Sequence, residues 1–433
     1  MIAKVMPLSF IIALRFFGLF IVMPVLSVYA LGLKNADEIT VGIVIGGYAL
    51  TQMVFQLPFG MLSDKIGRKK TLLTGLVVFA LGSIVCALSN DIYTLMFGRF
   101  LQGAGAIGAV VTAMISDSVK EEIRAKAMAV MGGSIALSFA FAMFLGPVIG
   151  GMYGVDKLFW LTAVLALGAI VILYTKVPTP PVITHEYEDE RLGVILKNKD
   201  LMKMNITHFL QKGFMTVAFL TIPILLIQNF GWEMKELYKA YIPALVLGLL
   251  AMGPAAVLGE KKGKYKEIFI LSIILFAASF LLMNFARSEA VFIVATALFF
   301  IAFNMFEPLM QSLTTKYAKV HQKGTALGVA NASAYFGTFL GGLVGGIVIK
   351  YYSIELLFYL LVFISVFWVL ITASMKNPAQ MKNLYLSKEG LTVQKIGAIA
   401  GVIEYYTNES DNTVVIKYDT AQTDETTIKS LLA

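Results

Sequence analysis

The sequence predicts an all-α polytopic membrane protein of twelve transmembrane helices in two pseudo-symmetric six-helix bundles, followed by a small α+β domain. Three observations predict it. Of the 433 residues 58% are apolar and only 14% charged, with a mean hydropathy of +0.79, whereas soluble chains carry roughly 25% charge. So few charges cannot clothe so apolar a chain in water, and lipid must cover the surface instead. The apolar residues also fall into twelve runs, and two unrelated motifs recur at one offset.

Runs long enough to cross about 30 Å of hydrocarbon lie at 6–30, 41–62, 72–89, 92–116, 127–151 and 157–177. A second set lies at 204–228, 238–259, 268–286, 290–314, 324–349 and 354–375. The first run is too long for a signal-peptide core of about 7–15 residues, carries no convincing cleavage site, and reads as a span. The net charge of +8 does not point to nucleic acid, because the basic residues sit in alternate short connections. Lys65, Arg68, Lys69 and Lys70 form one group, and Lys120, Arg124 and Lys126 the next. Lys261, Lys262, Lys264 and Lys266, then Lys316, Lys319 and Lys323, follow in the second half. The connections between, such as Ser89 to Asp91 and Ala286 to Glu289, are nearly neutral. The positive-inside rule then places both termini and the central linker in the cytoplasm, as expected of a bacterial inner-membrane protein.

The run Pro58, Asp64, Gly67 and Arg68 recurs 196 residues later as Pro254, Glu260, Gly263 and Lys264, with proline, acid, glycine and base in register. Gly146, Pro147, Gly150 and Gly151 recur at Gly341, Gly342, Gly345 and Gly346, at an offset of 195. Each six-span half is therefore a copy of the other. Two similar bundles rocking about a site between them can open it to either side in turn. The expected units are 1–177 and 204–375 for the bundles, 178–203 for a cytoplasmic linker and 383–433 for the tail.

The run from Gly60 through Asp64, Gly67, Arg68, Lys69 and Lys70 resembles motif A of the major facilitator superfamily. Gly98, Arg99, Gln102, Gly103 and Gly105 resemble its fourth-span motif B, and Gly146, Pro147, Gly150 and Gly151 its fifth-span motif C, which is associated with antiporters. Arg15 within Ala13 to Phe20, the stretch Phe303 to Glu307, and a small tail domain resemble, over essentially the whole chain, the YajR group assigned to drug efflux. The resemblance implies proton-driven efflux of small amphipathic or drug-like compounds. It also implies that Asp64 touches the start of the eleventh span and, with Arg68 and Arg124, latches the outward-facing state.

From the residues alone, Gly67 permits a tight turn and the bases anchor it at the membrane surface. Arg15 and Arg99 lie inside spans, where a charge costs about 2.5–3.5 kcal/mol, so neither faces lipid. Each is either a hydrogen-bond hub or part of substrate binding or coupling. Glu307 is the one acid well inside a span. A buried carboxyl suits uptake and release of a proton, the alternative being a fixed partner of an arginine or of Lys212. His208 and Lys212 share a helix face and are expected to snorkel to the interface, with a substrate pathway that includes them and Asn304 as the second reading. Asp117 reads as an interfacial acid ending the fourth span. Pro147 is expected to interrupt its helix as a hinge, while the glycines beside it allow close packing.

After Pro378 the composition becomes that of a soluble domain. Strands are expected at Leu384–Ser387, Val402–Thr407 and Thr413–Asp419, with a helix at Thr392–Ala400, a turn at Asn408–Asn412 and a last helix capped by Thr423. The order βαββα resembles a ferredoxin-like domain of the heavy-metal-associated kind without its last strand. The paired cysteines of that family are missing, since Cys86 is the only cysteine, so no metal is expected. No cofactor, nucleophile or phosphate loop stands out, and an enzyme is not expected. The expected partners are a small-molecule substrate, protons and the bilayer, with the tail docking on the bundle or self-associating. Uptake of a metabolite, or a sensor signalling through the tail, are the rival functions.

Overall fold

A computed structural model describes residues 2–119, 121–177, 192–319, 322–377, 381–387, 396–397, 399–408, 413–420 and 422–432. Twelve helices are long and apolar enough to span a bilayer: α1 Val5–Leu31, α2 Glu38–Ile66, α3 Arg68–Ala87, α4 Ile92–Ser118, α5 Lys126–Tyr153 and α6 Val155–Lys176. The second half supplies α7 Lys199–Phe230, α8 Met234–Lys262, α9 Tyr265–Phe285, α10 Glu289–Tyr317, α11 Lys323–Tyr351 and α12 Ile354–Ala373. Each lies within several residues of an apolar run in the sequence. The helices overrun the hydrocarbon at the basic end, so Lys65 and Arg68 sit on helices.

Local chemistry sets the ends. Asp37 and Thr40 form a capping box at the start of α2, and Asp91 accepts the Tyr93 and Thr94 amides at the start of α4. Ser288 and Ser353 cap α10 and α12 in the same way. These four helices all begin on the face away from the basic clusters. At the basic face, Gly67 and Gly263, related by the 196-residue repeat, both take positive φ, +94° and +67°. A side chain there would be strained, which accounts for glycine in both copies.

The breaks are not where proline predicts them. Helix runs through Pro147 from Glu121 to Tyr153 without interruption, Pro147 withdrawing one N–H from the ladder. The interruptions fall instead in α1, between Phe20 and Met23, and in α4, between Ala104 and Gly108. Gly146 packs on the first: a Cβ there would lie 2.1 Å from the Ile21 carbonyl oxygen. The glycine motif and its repeat make matching contacts. Gly146 meets α1 and Gly341 meets Gly213 of α7, each within its own half. Gly151 meets the Lys235 backbone at the start of α8, and Gly346 meets the Glu38 carbonyl at the start of α2, each across to the other half. The duplicated glycines therefore build two of the seams between the halves, α5 on α8 and α2 on α11.

Of the expected linker 178–203, residues 178–191 lie outside the described residues; a short helix, Leu192–Lys197, and the first turn of α7 make up most of the rest. In the tail, β1 Met381–Ser387, β2 Val402–Asn408 and β3 Thr413–Asp419 form a sheet of order β1-β3-β2, with both pairings antiparallel. Leu384, Ile396, Val414, Ile416, Tyr418 and Ile428 make its core. The helix expected at 392–400 and the turn at 408–412 fall largely outside the described residues. The last helix, α13 Glu425–Leu432, is capped by Asp424, whose carboxylate accepts the Thr427 amide at 2.7 Å, and not by Thr423. A carboxylate accepts more strongly than a hydroxyl and complements the helix dipole, so it takes the cap.

Candidate functional site

The halves meet along α2 and α11 from the Asp37–Lys350 ion pair, 2.6 Å, down to Gln52, whose amide donates to the Tyr335 hydroxyl at 2.7 Å. Gly42 and Gly342 lie between, backbone against backbone. Towards the basic face the helices part. A Cβ added at Gly60, Gly132, Gly133, Gly324 or Gly328 would meet nothing within 4 Å, and Leu57 and Met61 are exposed. The cleft between the halves is thus closed on one face and open on the basic one.

Asp37 lies outside the spans, and its carboxyl is pulled down to about 2, chiefly by the Lys350 ammonium and also by the Thr40 amide. The folded value is below the ordinary value near 3.9, so its contribution is complete above that pH and lost as pH falls through about 2. Closure on this face is expected to be insensitive to pH from 8 to 5 and to loosen only below about 4. Asp37→Asn is expected to loosen it at every pH, by a few-fold only because both groups are about one-third exposed. Distances between spin labels at positions 36 and 351 measure it.

Inside the cleft, α7 and α10 carry one connected polar group. Glu307 Oε1 accepts from Lys212 Nζ at 2.6 Å and from Gln211 Nε2 at 3.0 Å, and the ammonium stands 4.6 Å from the centre of the Phe303 ring. His208 is buried and bonded to Thr314 Oγ1 at 3.2 Å. Snorkelling is therefore not observed: four-residue spacing aims both side chains at α10, where an acid and a hydroxyl face them. Asn304, one turn before Glu307, donates to the Phe300 carbonyl within its own helix; it packs against Gly248 of α8 and is not joined to the cluster.

Arg99 is fully buried and bonded to the Val44 carbonyl at 3.2 Å and Gln102 Oε1 at 2.7 Å, with its guanidinium over the Tyr48 ring. That is the geometry of a hydrogen-bond hub tying α4 to α2. Arg15 is buried too, but among the described residues its one hydrogen bond runs from Nη2 to Gln52 Oε1 at 3.1 Å.

At the basic face Arg68 bridges Asp64, 2.5 Å, and Asp117, 3.2 Å, and donates to Ser63 Oγ. Asp64 is half-exposed; among the described residues no bond joins it to α11. Lys69 donates to the Val177 carbonyl at 2.9 Å, capping α6. The Arg124 side chain lies outside the described residues. Asp117, read from sequence as interfacial, is thus a second acid holding Arg68, beside Asp64. Its signal was an acid ending a span on the face where bases gather. The second half answers with Glu260 held by Lys316 at 2.6 Å and by Tyr265 at 2.7 Å.

Residues 8–260 and 242–400 match the Major Facilitator Superfamily. The chain belongs to that superfamily. It is 34% identical to the Inner membrane transport protein YajR of Escherichia coli (strain K12), over 98% of this chain and 96% of the relative. Identity to the Quinolone resistance protein NorA of Staphylococcus aureus (strain MSSA476) is 28%, over 79% and 89% of the two chains. The fold matches the solved nucleoside transporter NupG with a TM-score of 0.71 at 15% identity, over 86% of this chain and 99% of that one. The protein is therefore an integral membrane transporter of the superfamily, and not an enzyme.

Proposed function

We propose that this transporter exports small amphipathic, drug-like compounds in exchange for protons by alternating access, in a bacterial inner membrane with both termini and the basic face in the cytoplasm. The observation that carries this is the Lys212–Glu307 pair inside a cleft shut on one face only. In this orientation the cleft faces inward. Protonation of Glu307 would release Lys212 and remove the charge pair that each half-cycle must otherwise carry intact, so proton binding biases which face opens. Each proton entering down 100 mV contributes about 2.3 kcal/mol. A relative named for quinolone resistance supports the substrate class. The half-exposed Asp64 is free to meet the dipole at the start of α11 when that face closes, which is the latch role of motif A with Gly60, Gly67, Arg68, Lys69 and Arg124. Gly146, Gly150 and Gly151 act in this reading as the sliding surface of α5 and not as a hinge.

Flux in proteoliposomes across a compound panel, with and without a pH gradient, tests the reading. Export is expected to be gradient-dependent, and counterflow in vesicles of known orientation separates it from uptake. Ligand binding without any flux would instead make the chain a sensor.

The units 1–177, 204–375 and 383–433 are proposed as two rocking bundles and a ferredoxin-like tail, the strand order β1-β3-β2 being that of such a sheet without its last strand. The tail is proposed to dock on α10. Lys417 of β3 donates to the Lys316 and Ala318 carbonyls at 2.5 and 3.2 Å, at the negative end of the helix that bears Glu307. Lys417→Ala is expected to speed hydrogen exchange in β3 several-fold while leaving the spans protected. Deleting 383 onward with folding, transport and oligomeric state unchanged would remove any role for the tail.

A further inference from the structure

The interior of the first half holds two arginines and no acid: between Glu38 and Asp64, and throughout α1 and α3, no carboxylate occurs. In the second half the single interior acid, Glu307, is already held by Lys212. The cleft region therefore carries an excess of positive charge that the chain does not neutralise. Arg99 is satisfied by its carbonyl and amide partners. Arg15 is not. It is 1% exposed, and among the described residues its Nε and Nη1 have no hydrogen-bond partner. Phe16 and Phe79 lie 5.6 and 5.4 Å from the guanidinium carbon and leave those N–H groups unmade. A buried guanidinium with bare donors is costly. Retaining it beside the seam where the halves part implies something else that accepts from it.

The surroundings say what. Gln52, which accepts from Arg15, also donates to Tyr335 across the seam, so Arg15 stands where the two halves part. From Phe16 a line of rings leads over both halves: Phe20 at 5.4 Å, Phe139 of α5 at 5.1 Å from Phe20, and Phe219 of α7 at 6.4 Å from Phe139. Phe16 and Phe20 are only partly buried. The bare donors are covered in this state; uncovered as the halves part, a guanidinium beside this partly buried aromatic row fits a flat apolar body bearing one carboxylate.

We infer that Arg15 is the anion-binding point of the substrate site, and that the compounds carried include small aromatic carboxylates. This rests on the transporter reading above and narrows its substrate. The carboxylate takes the donors on Arg15, and the ring lies along Phe16, Phe20 and Phe139. Because Gln52 links Arg15 to Tyr335, the same anion sits where it feels the α2–α11 seam open.

The test is binding of benzoate, benzamide and benzylamine to the purified full-length protein in lipid nanodiscs, read by ligand-dependent thermal stabilisation. Benzoate is expected to stabilise saturably and the neutral and cationic analogues at least tenfold more weakly. Arg15→Lys is expected to lower benzoate affinity on the order of tenfold and Arg15→Met a hundredfold. Equal stabilisation by benzamide or benzylamine overturns the inference, and this comparison needs no variant to fold. Benzoate binding without benzoate flux would sink the transport reading and leave the anion site standing. Flux of cationic compounds alone, with no benzoate binding, would sink the anion site and leave the transport reading standing.

Discussion

Glu307→Gln is expected to abolish the acceleration of transport by a pH gradient while leaving exchange of substrate for substrate measurable. The amide keeps the size of the side chain and can still accept from Gln211, so the contact with α7 at 3.0 Å is not lost for steric reasons. What disappears is a charge that comes and goes. Lys212 then stands beside a neutral partner in both states of the cycle, in a region where its other close neighbour is the face of Phe303. Removing one member of a partly buried pair leaves an unpaired charge, and that costs several kcal/mol in a dry interior. Part of that cost is recovered here because Lys212 and Glu307 remain about one-third exposed to the cleft. The readout is the ratio of flux with and without the gradient in proteoliposomes: for the wild type it should exceed unity severalfold, and for the variant it should equal unity. A variant that keeps full proton dependence would reject Glu307 as the carrier. The double replacement Lys212→Met with Glu307→Gln should restore stability relative to the single change and still show no gradient dependence.

Gly342→Val is expected to be the most damaging single change outside the cleft. The Cβ alone would lie 2.2 Å from the Gly42 carbonyl oxygen, and a Cβ at Gly42 would lie 2.0 Å from that of Gly342. Neither obstacle can swing aside, because both are backbone. The seam between α2 and α11 must then open by the width of a side chain, at a cost of roughly 1–3 kcal/mol for overpacking, about fivefold to a hundredfold in the population of the closed arrangement. Transport should fall towards background, since alternating access needs this face to close. Spin-label distances across the Asp37–Lys350 end should lengthen. Gly328→Val is the matched control: it lies on the same helix, a Cβ there would meet nothing within 4 Å, and the closed seam should tolerate it. An unaltered distance distribution in Gly342→Val would mean that the glycine contact does not hold the face shut.

These expectations rest on features of unequal visibility in the sequence. The spans were legible because lipid imposes length and composition helix by helix, and no tertiary contact is needed to read twenty apolar residues. The caps by Asp37, Asp91, Ser288 and Ser353, each closing on its own next turn, are just as local but came only with the structure. The repeat was visible too, since the same turn demands glycine twice, at Gly67 and Gly263. The break expected at Pro147 is not observed, because a continuous α5 tolerates the single hydrogen bond that Pro147 withdraws. Thr423 misled because Asp424 beside it is the stronger cap.

Pairing was a different matter. That Glu307 meets Lys212 was only one of the sequence's options, and an acid ending a span where bases gather did not say that Asp117 would anchor Arg68 across forty-nine residues. The unpaired donors of Arg15 had no sequence signature at all. Sequence by itself determined that the chain lives in a membrane, how many times it crosses and that one half copies the other. Only the tertiary structure decided which buried charges cancel, which face of the cleft is shut and which guanidinium is left wanting an acceptor. The first set depends on the free energy of short segments in their solvent, summed along the chain. The second depends on which helix faces arrive within 3 Å of one another, and that is fixed by packing between segments far apart in sequence.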